Sequence, residues 1–232
     1  MERWRYELHA LRSVSGLAAA CYFLLGLAGA ASGDPELPRS LVTVGELSFL
    51  PLVPLLAAIL FSRELGGGTE LLASLPISLE GMLWRKTAVA LVLLIAGHSV
   101  WMAGYYWRNG ALFGRHFGLA SDRPVGGELA VYEPLLQLLP AAVFLLAVCL
   151  LAVTASQKAY AALAAGLALW MADALSHGAL LGPFTLTNGT HETNEDFWLN
   201  RCLLTGGAVL LLGAATYWIG RRARWVREDT GD

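Results

Sequence analysis

The sequence predicts an all-α membrane protein with six transmembrane helices, and two observations indicate this fold class. Hydrophobic residues make up 56% of the chain and charged residues only 15%, whereas a soluble domain of this length needs a far more charged surface. The charges are also clustered, which leaves long apolar runs, and a helix needs roughly 20 apolar residues to cross a hydrocarbon layer of about 30 Å. One transmembrane domain is therefore predicted over residues 1–232, with spans at about 13–33, 45–62, 86–107, 134–155, 159–181 and 201–220.

The amino terminus has the pattern of an amphipathic helix. On a helical wheel Trp4, Leu8 and Leu11 share one narrow arc. A basic arc lies beside it and contains Arg5, His9 and Arg12. Helices of this kind lie in the headgroup plane, so we expect an interfacial helix before the first span. The alternative is that these residues are the frayed start of that span.

The apolar runs contain few polar or reactive side chains. The first run, 13–33, is too long for the core of a signal peptide, so it is predicted to be retained as a span. Glu46 lies at the outer end of the second span and is expected to be solvated. An odd number of cysteines within spans argues against disulfides, and packing roles are predicted for Cys21, Cys149 and Cys202.

The distribution of basic residues predicts the orientation. With six spans both termini lie on one side, and that side then carries eleven of the 16 Lys and Arg residues. The positive-inside rule therefore places both termini in the cytoplasm of a multi-pass cell-membrane protein. The long external loop 108–133 is the local exception, because it carries three arginines.

The polar segment between the second and third spans predicts a short helix at the cytosolic surface. Three glycines (66–68) release the backbone, Thr69 can cap a helix, and Pro76 limits that helix to about two turns. Ser78 can then cap the next helix, which continues into the third span. A short rigid helix of this kind can fill a groove on a partner and transmit a push to the two spans that it joins. The alternative is an ordinary cytosolic loop that happens to be helical.

The run from Ser62 to Ser78, SRELGGGTELLASLPIS, resembles the ABC-2 type permeases, which are membrane subunits of ABC transporters. In that family an acidic residue, a Gly-Thr pair and a Leu-Leu-x-Ser-Leu-Pro run follow the second span. The resemblance implies six spans, cytosolic termini, an amphipathic amino-terminal helix and a coupling helix that docks on a cytosolic ATPase. It implies that the ATPase-binding residues are Glu64, Thr69, Glu70, Leu71, Leu72, Leu75 and Pro76. The loop 108–133 is longer than the family pattern.

The chain lacks a P-loop and is therefore not expected to hydrolyse ATP by that route. A P-loop ends in Gly-Lys-Ser/Thr, and neither of the two lysines, Lys86 and Lys158, follows a glycine. If the chain is a transporter of this type, ATP and Mg²⁺ therefore bind to a separate subunit, and no cofactor is expected on this chain. Because six spans form half of the usual translocation unit, a second permease copy or a paralogue is expected as well.

Ionisable residues within the membrane are the remaining candidates for a site. Asp173 and His177 are four residues apart, so on a continuous helix they share a face. Such groups are costly in hydrocarbon and by default indicate a functional cavity, so Asp173, His177 and His98 are candidates for a substrate pathway. The alternatives are a polar patch at the external mouth for the first two, and a hydrogen bond between helices for His98.

Two other functions stay open. One is a membrane-embedded enzyme that uses Asp173 and His177, and the other is a membrane scaffold or immunity protein without transport. No catalytic dyad is evident otherwise. The stretch His191-Glu-Thr-Asn-Glu195 lacks the second histidine of a zinc-protease motif, so no metal is expected. Basic residues are juxtamembrane, which makes membrane lipid a partner and argues against nucleic acid.

Overall fold

A computed structural model describes residues 10–31, 39–65, 78–118 and 122–221 of the chain. In this part the chain is mostly helical, as predicted, and one short β-hairpin is added. The α-helices, in chain order, are α1 (Val14–Ala31), α2 (Leu41–Ser48), α3 (Leu52–Leu65), α4 (Leu79–Asn109), α5 (Tyr132–Ser156), α6 (Tyr160–Leu175) and α7 (Asn194–Gly220). The strands are β1 (Phe113–His116) and β2 (Val125–Glu128), and 3-10 turns cover Ala10–Arg12, Gly182–Phe184 and Asn188–Thr190. The predicted amino-terminal amphipathic helix falls mostly outside the described residues.

Four helical stretches of the described chain are long and apolar enough to cross a membrane. They are Leu41–Leu65, which comprises α2 and α3, together with α4, α5 and α7. The other two predicted spans are apolar but shorter, at Val14–Gly29 and Tyr160–Leu175. At 1.5 Å per residue, the 16 residues of α6 extend about 24 Å, less than the hydrocarbon thickness of about 30 Å.

Exposed tryptophans mark the two ends of the longest helix. Trp84 is 50% exposed and Trp107 is 91% exposed on α4, and their separation of 23 positions corresponds to about 35 Å of helix. Tryptophan is enriched at the two interfaces of a membrane. The spacing therefore matches the hydrocarbon layer plus a few ångströms of interface, which supports the membrane assignment of this helix.

The predicted second span, 45–62, is interrupted. Residues 49–51 separate α2 from α3, and Pro51 has no N–H with which to continue the helical ladder. Hydrogen bonds to the residue three positions back replace the ladder there, from Leu52 N–H to Phe49 O at 3.1 Å and from Val53 N–H to Leu50 O at 3.0 Å. The break lies inside the protein core, since Phe49 and Leu50 are buried.

The predicted fifth span, 159–181, is too long. Its helix α6 ends at Leu175 because the chain forms a Schellman motif there: Gly178 N–H donates to Asp173 O and His177 N–H donates to Ala174 O. His177 occupies the left-handed position after the helix, with φ of 51°, and Gly178 follows with φ of 80°. The sequence Ser-His-Gly at 176–178 therefore ends this helix.

The predicted cap of the third span is confirmed. Ser78 Oγ accepts a hydrogen bond from Gly81 N–H at 3.0 Å, and α4 starts at Leu79 rather than near 86. The last helix also starts earlier than expected, because Thr193 Oγ1 caps α7 by accepting from Asp196 N–H at 3.1 Å. Both helices thus extend beyond the apolar runs from which they were predicted.

Helix α5 occupies the centre and packs against α3, α6 and α7. The helices approach closely at Gly166 of α6, where a Cβ atom would lie 2.5 Å from Cys149 Sγ and 2.6 Å from Pro54 Cβ. The packing role of Cys149 is confirmed, because its side chain is fully buried. Cys21 and Cys202 are exposed on the helix surface, so they do not pack inside the described part of the chain.

The loop 108–133 contains the β-hairpin, which was not predicted. Its strands are antiparallel, and two hydrogen bonds fix them to α5. His116 Nδ1 lies 2.8 Å from Glu133 Oε1, and Gln137 Nε2 donates to Arg115 O at 2.7 Å. On the other side Phe117 stacks on Phe197 of α7, with ring centroids 3.9 Å apart.

Candidate functional site

Two buried polar clusters lie at opposite ends of the α2–α3 span. The first joins α3 to α4: Lys86 Nζ lies 2.9 Å from Glu64 Oε1, with side-chain exposures of 1% and 8%. Lys86 also donates to the backbone oxygen of Leu60, and its ammonium lies 5.3 Å from the centroid of the Phe61 ring. We call this side of the bundle the Glu64 end.

This ion pair holds together the helix ends on either side of the predicted coupling segment. Glu64 is the next-to-last residue of α3, and Lys86 is in the second turn of α4. In this structure Glu64 therefore faces Lys86 and not the solvent. From sequence alone Lys86 counts only among the cytosolic cations, and no periodicity marks it as the partner of Glu64. The other predicted ATPase-binding residues lie outside the described residues: Thr69, Glu70, Leu71, Leu72, Leu75 and Pro76.

The second cluster surrounds Glu46, and we call its side of the bundle the Glu46 end. The expectation that Glu46 is solvated is wrong, because the residue is 4% exposed. Its Oε1 accepts a hydrogen bond from Asn188 N–H at 2.5 Å, while Asn188 Oδ1 accepts one from Arg201 Nη2. Asn188 thus bridges a buried carboxylate on α2 to a buried guanidinium on α7. A buried charge needs such partners.

Asp173 anchors the connection between α6 and α7. It is fully buried, and its Oδ2 accepts from Leu186 N–H at 2.7 Å and from the Thr185 hydroxyl at 3.1 Å. Asn200 Nδ2 supports the same stretch by donating to Pro183 O at 2.8 Å and Thr185 O at 2.9 Å. Side chains therefore hydrogen-bond the irregular backbone between the two helices, as required where such backbone is buried.

Asp173 and His177 do not share a helix face, contrary to the spacing argument. The helix that carries Asp173 ends before His177, whose exposed side chain follows the left-handed turn. His98 is in a third place: its ring lies edge-on to Phe49 at 5.5 Å and parallel to Trp101 at 6.2 Å, inside the helix bundle. The structure therefore does not bring the three candidates together.

A cavity of about 1050 Å³ opens beside the Glu46 cluster. Its lining combines charged and apolar groups from α2, the β-hairpin, α6 and the α6–α7 connection, including Glu46, Leu47, Arg115, Arg123, Trp170, His177, His191 and Glu192. The volume is at the upper end of the range for small-molecule sites, about 300–1,000 Å³. Amphipathic molecules fit such a lining, because it offers both charges and apolar surface.

His191 lies between this cavity and a second one of about 480 Å³. Its ring is edge-on to Phe197, with centroids 6.1 Å apart, and it is buried. Burial lowers the pKa of His191 to about 4, and the nearby charge of Arg201 acts in the same direction. His191 is therefore neutral at physiological pH. Its importance was not evident from sequence, where it belongs only to the incomplete zinc motif.

No group of three or more His, Cys, Asp or Glu side chains that could hold a metal ion occurs among residues 10–31, 39–65, 78–118 and 122–221. The side chains at the Glu46 end instead bind backbone groups and each other.

Comparison with known proteins assigns no family. No protein-family model matches the chain, and neither a curated protein nor a solved structure matches it.

Proposed function

We propose that the chain is the membrane permease subunit of an ABC transporter, which exports a hydrophobic or amphipathic solute with energy from a separate ATP-binding subunit. In this proposal α1 and α6 complete a set of six spans in the cell membrane, and both termini are cytoplasmic. The Glu64 end then faces the cytoplasm and the Glu46 end faces outwards. A second permease copy or a paralogue completes the translocation unit.

The buried ion pair between Glu64 and Lys86 is the observation that carries this proposal. A coupling segment can drive transport only if a force on it moves membrane helices together. Residues 66–77 connect α3 to α4, and the ion pair ties those two helices immediately beside the connection. A force applied to the segment by an ATPase would therefore reach both helices as one unit.

The cavity at the Glu46 end supports the same function. It lies at the far end of the α2–α3 span from the ion pair, and its mixed charged and apolar lining suits an amphipathic solute. Leu47, which belongs to this lining, is 55% exposed, so the cavity borders a surface that contacts lipid. This is the position expected for a solute that leaves the protein on the outer side.

The enzyme hypothesis with Asp173 and His177 receives less support from the geometry. Asp173 is fully buried and already accepts hydrogen bonds from Leu186 and Thr185, while His177 lies outside the helix. An acid and a base must be within hydrogen-bond reach of one reacting group. Asp173 is occupied in holding the α6–α7 connection.

Affinity purification of the chain from its native membrane tests the proposal. We expect a P-loop ATPase to co-purify, and the reconstituted complex to hydrolyse ATP in step with solute movement. Leu72→Asp or Glu70→Arg should separate hydrolysis from transport while leaving membrane insertion intact. Glu80→Arg is the matched control, because Glu80 is an exposed acid just outside the segment. Absence of any ATPase, or unchanged transport in both segment variants, contradicts the proposal.

A further inference from the structure

A groove that is separate from the cavity at the Glu46 end lies at the Glu64 end, between α1, α3 and the start of α6. It has a volume of about 560 Å³. Its walls are apolar, with Leu55 and Ile59 from α3 and Leu163 from α6, and polar groups line it where these helices approach the Glu64 end, namely Ser62, Lys158 and Tyr160. At 1.5 Å per residue, Leu55 lies about 10 Å deeper along α3 than Ser62. The groove therefore has an apolar depth and a polar rim.

Lys158 gives the rim a positive charge. It lies in the tight turn between α5 and α6, and its ammonium is 5.7 Å from the centroid of the Tyr160 ring. Among the ion pairs of the described residues, none involves Lys158. No acidic side chain is among the described residues that line the groove, and Glu64, at the same end of the bundle, is already paired with Lys86.

The surface beside the groove is apolar and exposed, as expected of a surface that lipid covers. Val14 and Leu17, at the start of α1, are 86% and 66% exposed. Tyr160, at the rim, is 62% exposed, and tyrosine of this kind is typical of the headgroup level. The groove thus opens where acyl chains end and headgroups begin.

We propose that this groove binds an anionic phospholipid, with one acyl chain between α3 and α6 and the phosphate beside Lys158. Basic pockets between transmembrane helices at the cytoplasmic side bind anionic headgroups. The Tyr160 hydroxyl can donate to a phosphate oxygen that Lys158 leaves uncovered, whereas the Ser62 hydroxyl already donates to Ile59 O at 2.8 Å. This site rests on the membrane assignment and on the proposed orientation, in which the Glu64 end is cytoplasmic, but not on transport.

Native mass spectrometry of the full chain in detergent tests this site. Phosphatidylglycerol and phosphatidylcholine with identical acyl chains are titrated separately, so that only the headgroup differs. We expect the wild type to retain the anionic lipid at the lower concentration. Lys158→Gln should weaken that retention about fivefold, the effect of one basic residue near a lipid headgroup. Phosphatidylcholine retention should stay unchanged.

Two further variants separate the groove from general effects of charge and folding. Arg221→Gln removes a cation at the same end of the bundle, where Arg221 contacts the Tyr217 ring and not the groove, and it should leave lipid retention unchanged. Leu163→Trp fills the apolar depth and should reduce retention of both lipids, with folding checked by gel filtration. Equal retention of the two lipids by the wild type, or no effect of Lys158→Gln, overturns the proposal. Failure of both lipids to bind also overturns it.

Discussion

Loss of one partner of the Glu64–Lys86 pair should destabilise the protein strongly. Lys86→Met keeps the length and apolar character of the stem but removes the ammonium, so a carboxylate with 8% exposure remains without its cation. Breaking a buried ion pair in this way costs about 3–5 kcal/mol. Glu64→Gln should cost less, because Lys86 still donates to the backbone oxygen of Leu60.

The double variant distinguishes the pair from two independent charges. In Glu64→Gln/Lys86→Met no uncompensated charge is left buried, so the double variant should be more stable than the sum of the two single losses predicts. Residues in direct contact typically give interaction energies of about 0.5–3 kcal/mol in such a cycle. The free energy of unfolding is measured in detergent micelles for all four proteins, with Arg221→Met as a control for loss of an exposed cation.

The outcome of this cycle is decisive for the coupling argument. If the losses are additive, Glu64 and Lys86 do not interact in the folded protein, and α3 and α4 are not tied together beside residues 66–77. If they interact, ATP-dependent transport should remain impaired in the double variant even where its stability approaches that of the wild type, because the tie between the two helices is gone.

Two further predictions concern packing and pH. Gly166→Ala should lower the free energy of unfolding by about 1–3 kcal/mol through overpacking, because its Cβ would lie 2.5 Å from Cys149 Sγ. The matched control is Gly213→Ala in α7, where a Cβ meets no atom within 4 Å. Equal effects of the two substitutions contradict the packing argument. The pKa of His191 is about 4 in the folded protein, below the value of about 6.5 in the unfolded chain. The contribution of His191 to stability is therefore present above the unfolded pKa and is lost as pH falls through the interval between the two values. The melting temperature should therefore fall more between about pH 7.5 and about pH 5 in the wild type than in His191→Gln, and an identical fall in both proteins would exclude this role of His191.

Local signals predicted those parts of the fold that depend on neighbouring residues in sequence. Helix α5 was predicted at 134–155 and is Tyr132–Ser156, because a long uncharged run between polar residues is sufficient to define it. The cap at Ser78 was also predicted, since a cap is formed by a residue and its next three neighbours. The break at Pro51 has an equally local cause, but it was not predicted because the apolar run continues on both sides of the proline.

Features that depend on contacts distant in sequence were not predictable in this way. Glu46 is buried because Asn188, 142 positions away, donates to its carboxylate, and no pattern around Glu46 indicates that partner. The pairing of Glu64 with Lys86 was not predictable for the same reason, because the two residues are on different helices. The hairpin at 113–128 contains short strands without clear alternation, and its attachment to Glu133 and Phe197 is what makes it part of the fold.

The two buried carboxylates give the α2–α3 span a particular mechanical position. Glu46 and Glu64 are 18 residues apart, which corresponds to about 27 Å along a helix, and each is bound to a different neighbour. Glu64 ties α3 to α4, whereas Glu46 ties α2 to the α6–α7 connection and, through Asn188, to Arg201 of α7. The break at Pro51 lies between these two attachments, so a displacement that travels along this span from the Glu64 end must cross it. In the proposed transporter the buried packing of Phe49 and Leu50 therefore affects how much of the displacement is transmitted along this span.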